Sequence, residues 1–144
     1  MHISNDNARQ LEQYFDKIFI VSIPRFTARH QTVAAHLQGL KFDFFWGADK
    51  QQLNLEEAIQ KGIYDEQKTK QLQRQGKTLN LGELACSLSH RMVYEEMIKN
   101  NWNKVLILED DILPLHNNIQ YLPDALKELP DDWELVYLGY LKHE

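Results

Sequence analysis

The chain has 144 residues and a mass of 17.0 kDa, with 16 Lys and Arg against 21 Asp and Glu, a formal charge of −5. That length suits one domain with its own core, and 43% apolar with 10% aromatic residues excludes intrinsic disorder. Six Gly and four Pro exclude fibrous and low-complexity classes, and the acidic balance argues against nucleic acid as partner, because phosphate backbones demand a basic face.

In chain order, Met1 to Gln13 is polar and lacks the apolar stretch of a signal peptide. Ile18-Phe19-Ile20-Val21 is β-branched and aromatic without helical period, and reads as a buried strand stopped by Ser22-Ile23-Pro24. Phe26, His30, Val33, Ala34 and Leu37 recur at three and four residues, which predicts a helix from Thr27 to Gln38, capped by Thr27 and closed near Gly39. Phe42 to Trp46 reads as a second strand, ended by Gly47-Ala48-Asp49. Leu53 to Ile63 reads as a short helix, and Glu66 to Lys77, with Lys68, Lys70, Arg74 and Lys77, as an exposed helix or loop.

Asn80 with Glu83 three residues later is a capping-box pattern that opens a long helix ending at Asn100-Asn101. Two apolar stripes, Leu81-Leu84-Ala85-Leu88-Met92 and Cys86-Ser89-His90-Val93-Met97, predict packing on two sides. Val105-Leu106-Ile107-Leu108 is continuously apolar, the pattern of a strand buried on both faces of a parallel sheet. Leu122, Ala125, Leu126 and Leu129 predict a helix near Pro123, and Leu135-Val136-Tyr137-Leu138 a fourth strand ending at Gly139. The order β-α-β-α-α-β-α-β predicts an α/β fold with an open, mostly parallel, Rossmann-like sheet flanked by helices, one domain over residues 1–144. A single cysteine, Cys86, forms no internal disulfide and fits a reducing, cytoplasmic compartment. No apolar run approaches the ~20 residues that span a bilayer, so no transmembrane segment is expected.

The sharpest chemical feature is Glu109-Asp110-Asp111, directly after the buried strand. Ligands of open α/β sheets sit outside the carboxyl ends of strands, and three neighbouring carboxylates there call for a cation or donors. Oxygen ligands of this kind suit Mg²⁺ or Mn²⁺, which also hold substrate phosphates; the plain alternative is an acidic junction facing water. A receiver domain would need its acids on the first strand and more than the 33 residues after Asp111, since 144 − 111 = 33. A haloacid-dehalogenase phosphatase would need a second Asp two residues after Asp110, where Ile112 stands.

Arg25 and Arg29 lie four apart across a helix start and suit phosphate, although an ordinary exposed helix face gives the same pattern. Ser89-His90 with an acid suggests a hydrolase triad, but Gly-x-Ser-x-Gly is absent and Ser89 is placed mid-helix. His90 then reads as a core histidine and Cys86 as inert packing, and one Cys with scattered His leaves no zinc site.

Taken together, Phe19-Ile20-Val21-Ser22-Ile23-Pro24-Arg25 with Arg29, Phe45-Trp46-Gly47-Ala48-Asp49, Leu81-Gly82-Glu83-Leu84-Ala85-Cys86-Ser87-Leu88-Ser89-His90, Leu106-Ile107-Leu108-Glu109-Asp110-Asp111 and Trp133-Glu134-Leu135-Val136-Tyr137-Leu138-Gly139 resemble glycosyltransferase family 25 in the same order. That family contains bacterial lipooligosaccharide galactosyltransferases and collagen galactosyltransferases. The resemblance spans about residues 17–140; it departs at Ser22-Ile23-Pro24, where the family has Asn-Leu-Asp.

The resemblance implies a GT-A-type fold and inverting transfer of a hexose, typically galactose, from a UDP-sugar to a lipopolysaccharide or other glycan or lipid-linked acceptor. It implies metal contact by Glu109 and Asp111, and donor contact by Arg25, Arg29, Asp49, Ser89, His90 and Asp110, with Mn²⁺ or Mg²⁺ as cofactor. Family members are much longer, so the chain is expected to be the nucleotide-sugar-binding part, with acceptor surface and catalytic base outside it. The alternative is a non-catalytic binding or assembly module. An uncovered apolar face would then make it a homo-oligomer. The basic segment Lys68 to Lys77 would supply peripheral contact with the inner membrane surface, although such a segment is ordinarily just solvated.

Overall fold

The computed structural model describes residues 3–73, 76–112 and 119–139. Its elements are α1 (Asn5–Tyr14), β1 (Lys17–Ser22), α2 (Thr27–His36), β2 (Asp43–Trp46), α3 (Leu55–Gln60), α4 (Glu66–Leu72), α5 (Leu81–Asn100), β3 (Val105–Glu109) and α6 (Leu122–Lys127). The sheet has three parallel strands in the order β2-β1-β3. The α/β class and the open parallel sheet flanked by helices are as the apolar pattern predicts.

β1 is central, and its pleat sends alternate side chains to two separate cores. Phe19 and Val21 pack with Val93, Ile107 and Phe45 beneath α5. On the other face Ile18 joins Leu11, Phe15, Leu106 and Leu126, and Ile20 joins Val33 and Leu37 of the α2 region. This two-sided burial is what a continuous apolar run encodes.

α5 is 20 residues long. Asn80 Oδ1 accepts from the N–H groups of Gly82 and Glu83, while Glu83 Oε2 accepts from the Asn80 N–H at 2.8 Å, so the predicted capping box is present. Asn101 closes the helix in the left-handed conformation, φ 54°, a region that asparagine tolerates better than most residues. The helix packs on two sides: Leu84 and Leu88 against Ala58 and Tyr64, Val93 and Met97 against the sheet. Its buried seam is narrower than the two stripes, being Leu84, Ala85, Ser89 and Val93, and Met92 stands at 38% exposure.

Three expectations change. The polar start is a helix, α1, capped by Ser4 and burying Ala8 and Leu11; two apolar residues three apart inside a polar segment are too sparse a signal. α2 begins without a side-chain cap, since Phe26 and not Thr27 occupies the cap position. Residues 135–138 form no strand: Leu135, Tyr137 and Leu138 are exposed, and neither open edge of the sheet, β2 or β3, pairs with them among the described residues. α4 is exposed with no buried residue; Arg74 of the basic segment lies outside the described residues. No described helix is long and apolar enough to cross a membrane.

Candidate functional site

Parallel strands present their carboxyl ends along one rim, where open α/β sheets bind ligands. The register sets Ser22 of β1 beside Trp46 of β2, and Val21 beside Glu109 of β3. The segments that follow these strands therefore meet at one edge, bringing Arg25, Arg29, Asp49 and the three acids to it.

The acids do not act as one cluster. Successive strand residues face opposite sides, so Glu109 turns to α5 and Asp110 to α2. Asp110 is 7% exposed. It accepts from Arg29 Nη1 at 2.8 Å and from Ser22 Oγ. With the Ser22 proton directed at Asp110, His30 Nε2 donates to Ser22 Oγ at 2.8 Å. Arg29, Ser22 and His30 thereby satisfy a carboxylate that burial alone would make costly. Asp111, past the strand, is exposed and touches Arg29 only at 3.4 Å.

Arg25 and Arg29 both stack on Phe26, each guanidinium 4.7 Å from its ring. They reach different acids. Arg25 makes a bidentate pair with Asp49 at 2.8 and 2.9 Å, bridging the ends of β1 and β2. Arg29 bridges α2 to β3. Asp49 Oδ1 also accepts from the Gln51 N–H, and the Arg25 bonds together with that one hold its carboxyl at about 2. The same pairing raises Arg25, and hydrogen bonding to Asp110 raises Arg29, above the ordinary arginine value.

Ser89 is buried and mid-helix, which excludes a nucleophile elbow. Its Oγ accepts from the Ala48 N–H at 2.9 Å and donates to the Ala85 carbonyl at 2.7 Å. α5 approaches the end of β2 so closely that a Cβ on Gly47 would overlap the Ser89 side chain, its Cβ lying 2.7 Å away. Ser89 thus positions the loop that carries Asp49.

His90 is half-buried and donates Nε2–H to Glu109 Oε1 at 3.2 Å, so it is a rim residue rather than a core histidine. Cys86 is likewise not core packing: it is exposed, its Sγ 3.8 Å from Glu109 Oε1. Its sulfur is shielded enough that desolvation pushes the thiol up, with Glu109 adding to the shift. Contrary to the expectation of scattered donors, Cys86, His90 and Glu109 lie together, their ligand atoms within 4.8 Å of one another. A groove of about 280 Å³ opens at the opposite edge of the sheet, between Glu12, Asp16, Lys17, Lys41 and Asp43, and holds none of the expected donor residues.

Ser22, His30, Gly47 and Cys86 are site residues that sequence reasoning did not assign. Ser22 had a signal, its place at the carboxyl end of the first strand; the contact of the Gly47-Ala48 loop with Ser89, which is 41 residues beyond Ala48, had none.

The model of glycosyltransferase family 25 (LPS biosynthesis protein) matches residues 15–144. Human inactive glycosyltransferase 25 family member 3 is 27% identical over 143 residues, 96% of this chain and 24% of its own. A glycosyltransferase 25 family member of Anopheles gambiae is 31% identical over 133 residues, 85% of this chain and 21% of its own. Human procollagen galactosyltransferase 2 is 28% identical over 136 residues, 87% and 21% of the two chains. The chain thus spans about a quarter of the length of these relatives. No solved structure matches it.

Proposed function

Since this chain belongs to glycosyltransferase family 25 by a match over residues 15–144, we propose that it is the nucleotide-sugar-binding part of a glycosyltransferase of GT-A type. In this reading it takes a hexose, galactose first among the candidates, from a UDP-sugar toward a lipopolysaccharide or other glycan acceptor. The observation that carries the reading is the shared rim: three parallel strands end where two arginines, two exposed acids and the Ser89-His90 segment of α5 converge. The name of human procollagen galactosyltransferase 2 supports the choice of sugar.

Glu109 and Asp111 are the carboxylates that would hold a divalent cation. Both are exposed oxygen donors, the set that Mg²⁺ and Mn²⁺ accept, whereas Asp110 is closed off by Arg29 and Ser22. When bound, such a cation offsets the charge that develops on departing UDP. The protein's own part is positional. Arg29, half-exposed and anchored at Asp110, offers its remaining N–H groups to diphosphate. Asp110 is a positioning residue in this scheme, acting through Arg29. Asp49, held by Arg25 and by the Ser89-fixed loop, would accept from ribose or base.

UDP and UDP-galactose, titrated with and without Mn²⁺, are expected to raise the unfolding temperature, and Asp111→Ala to abolish the Mn²⁺-dependent part. A flat response to both nucleotides would overturn the reading. A second reading, a binding or assembly module without transfer activity, is favoured by the relative named as inactive. Sustained sugar transfer by the purified chain, followed by product detection, would eliminate it.

A further inference from the structure

The side of Glu109 that faces α5 meets a thiol and an imidazole, a donor set beyond the oxygen ligands proposed for the diphosphate cation. Cys86 and His90 stand four residues apart on α5, hence on one helical face, and β3 ends with Glu109 beside them. Zn–S bonds of about 2.3 Å and Zn–N or Zn–O bonds of about 2.0–2.1 Å set tetrahedral donor pairs roughly 3.3–3.6 Å apart. The His90 Nε2–Glu109 Oε1 separation is 3.2 Å and the Cys86 Sγ–Glu109 Oε1 separation 3.8 Å, near those values.

We propose that Cys86, His90 and Glu109 form a sulfur–nitrogen–oxygen site for a borderline transition ion of the Zn²⁺ or Co²⁺ class, with its fourth position open to solvent. A thiolate and an imidazole select such ions over Mg²⁺ and Ca²⁺, which require oxygen. The donors come from regular elements, and α5 is seated through Leu84, Ala85, Ser89 and Val93, so two ligands are presented by a fixed helix. Cys86 and Glu109 are exposed and His90 half-buried, which gives an ion an entry path. Cys86 coordinates as thiolate: its S–H proton passes to solvent as the sulfur–metal bond forms, with no change of oxidation state.

The site does not rest on the sugar-transfer reading. It shares Glu109 with the cation contact proposed for the diphosphate, so an ion held here takes that carboxylate from the other site.

The test is an anaerobic titration of the 144-residue chain with Co²⁺, following the thiolate-to-cobalt charge-transfer absorption. Because Cys86 is the one cysteine of the sequence, no other residue supplies that band. One Co²⁺ per chain is expected, displaced by Zn²⁺ and retained in a large excess of Mg²⁺. Cys86→Ser should lose the band. His90→Ala and Glu109→Gln should weaken Co²⁺ binding at least about tenfold, the least that even outer-shell partners of a metal contribute. Unfolding midpoints of the three variants, measured without metal, show that each is folded. Absence of the band in the wild type, its survival in Cys86→Ser, or unchanged Co²⁺ affinity in folded His90→Ala and Glu109→Gln would overturn the site. The UDP response separates the two readings: Cys86→Ser keeps it and Asp111→Ala keeps the cobalt band, so each can fail alone.

Discussion

At the residue scale, Phe26 takes two guanidinium groups against its ring, and each finds its own acid. The Arg25–Asp49 pair has a measurable consequence. Pairing depresses the Asp49 carboxyl from 3.8 to about 2. The unfolded chain therefore binds this proton more tightly than the folded one, so the pair's stabilisation is complete above about pH 4 and is lost as pH falls toward about 2. Urea midpoints measured from pH 6 to 2 should fall through that window. Asp49→Asn should lower the neutral-pH midpoint and flatten the acid slope; an unaltered slope would assign the acid sensitivity to other carboxylates. The meeting of the two arginines and three acids at the strand ends was legible. Their division was not, because adjacency in sequence suggests a shared target, while the strand's period of two sends neighbours to opposite faces.

At the element scale, strands and long helices were readable wherever an apolar pattern had a partner to satisfy it. β1, β3 and α5 combine period, capping chemistry and burial, so every local preference points the same way. The segment 135–138 is a continuous apolar run like the start of β3 yet stays exposed, which shows that composition states a capacity and packing decides its use. α1 is the reverse case. Its polar surface hid Leu11, fully buried against Phe15, Leu40 and Leu106 beneath the sheet. Leu11→Ala should cost about 2–5 kcal/mol, the range for emptying a buried leucine site. Chemical denaturation checks this, and a loss below about 1 kcal/mol would mean that α1 is only loosely attached.

At the scale of the whole molecule, two cores lie on either side of a three-stranded sheet, and functional groups cluster where its strands end. If the rim binds UDP with Mn²⁺, ligand at a hundred times its Kd should add about 2.7 kcal/mol to unfolding, because only the folded rim gathers the contacts. Isothermal calorimetry and thermal melting must then agree; a bound nucleotide without that gain would mean that the unfolded chain binds it as well. Membership of the family was readable because its motifs sit on strand ends and on α5, where position and chemistry coincide. The transition-ion donors were not, since Cys86 and His90 read as packing until the end of β3 is set against them.

The seating of Ser89 on Gly47 makes α5 and the end of β2 one mechanical unit. A helix that slid or rolled would have to carry Ala48 along, and behind it Asp49 and its arginine clasp. An ion bridging α5 to β3 would therefore be felt across the sheet, at Asp49 beyond the end of β2. Occupancy at one end of the rim and the grip at the other are geared together through a single missing methyl group.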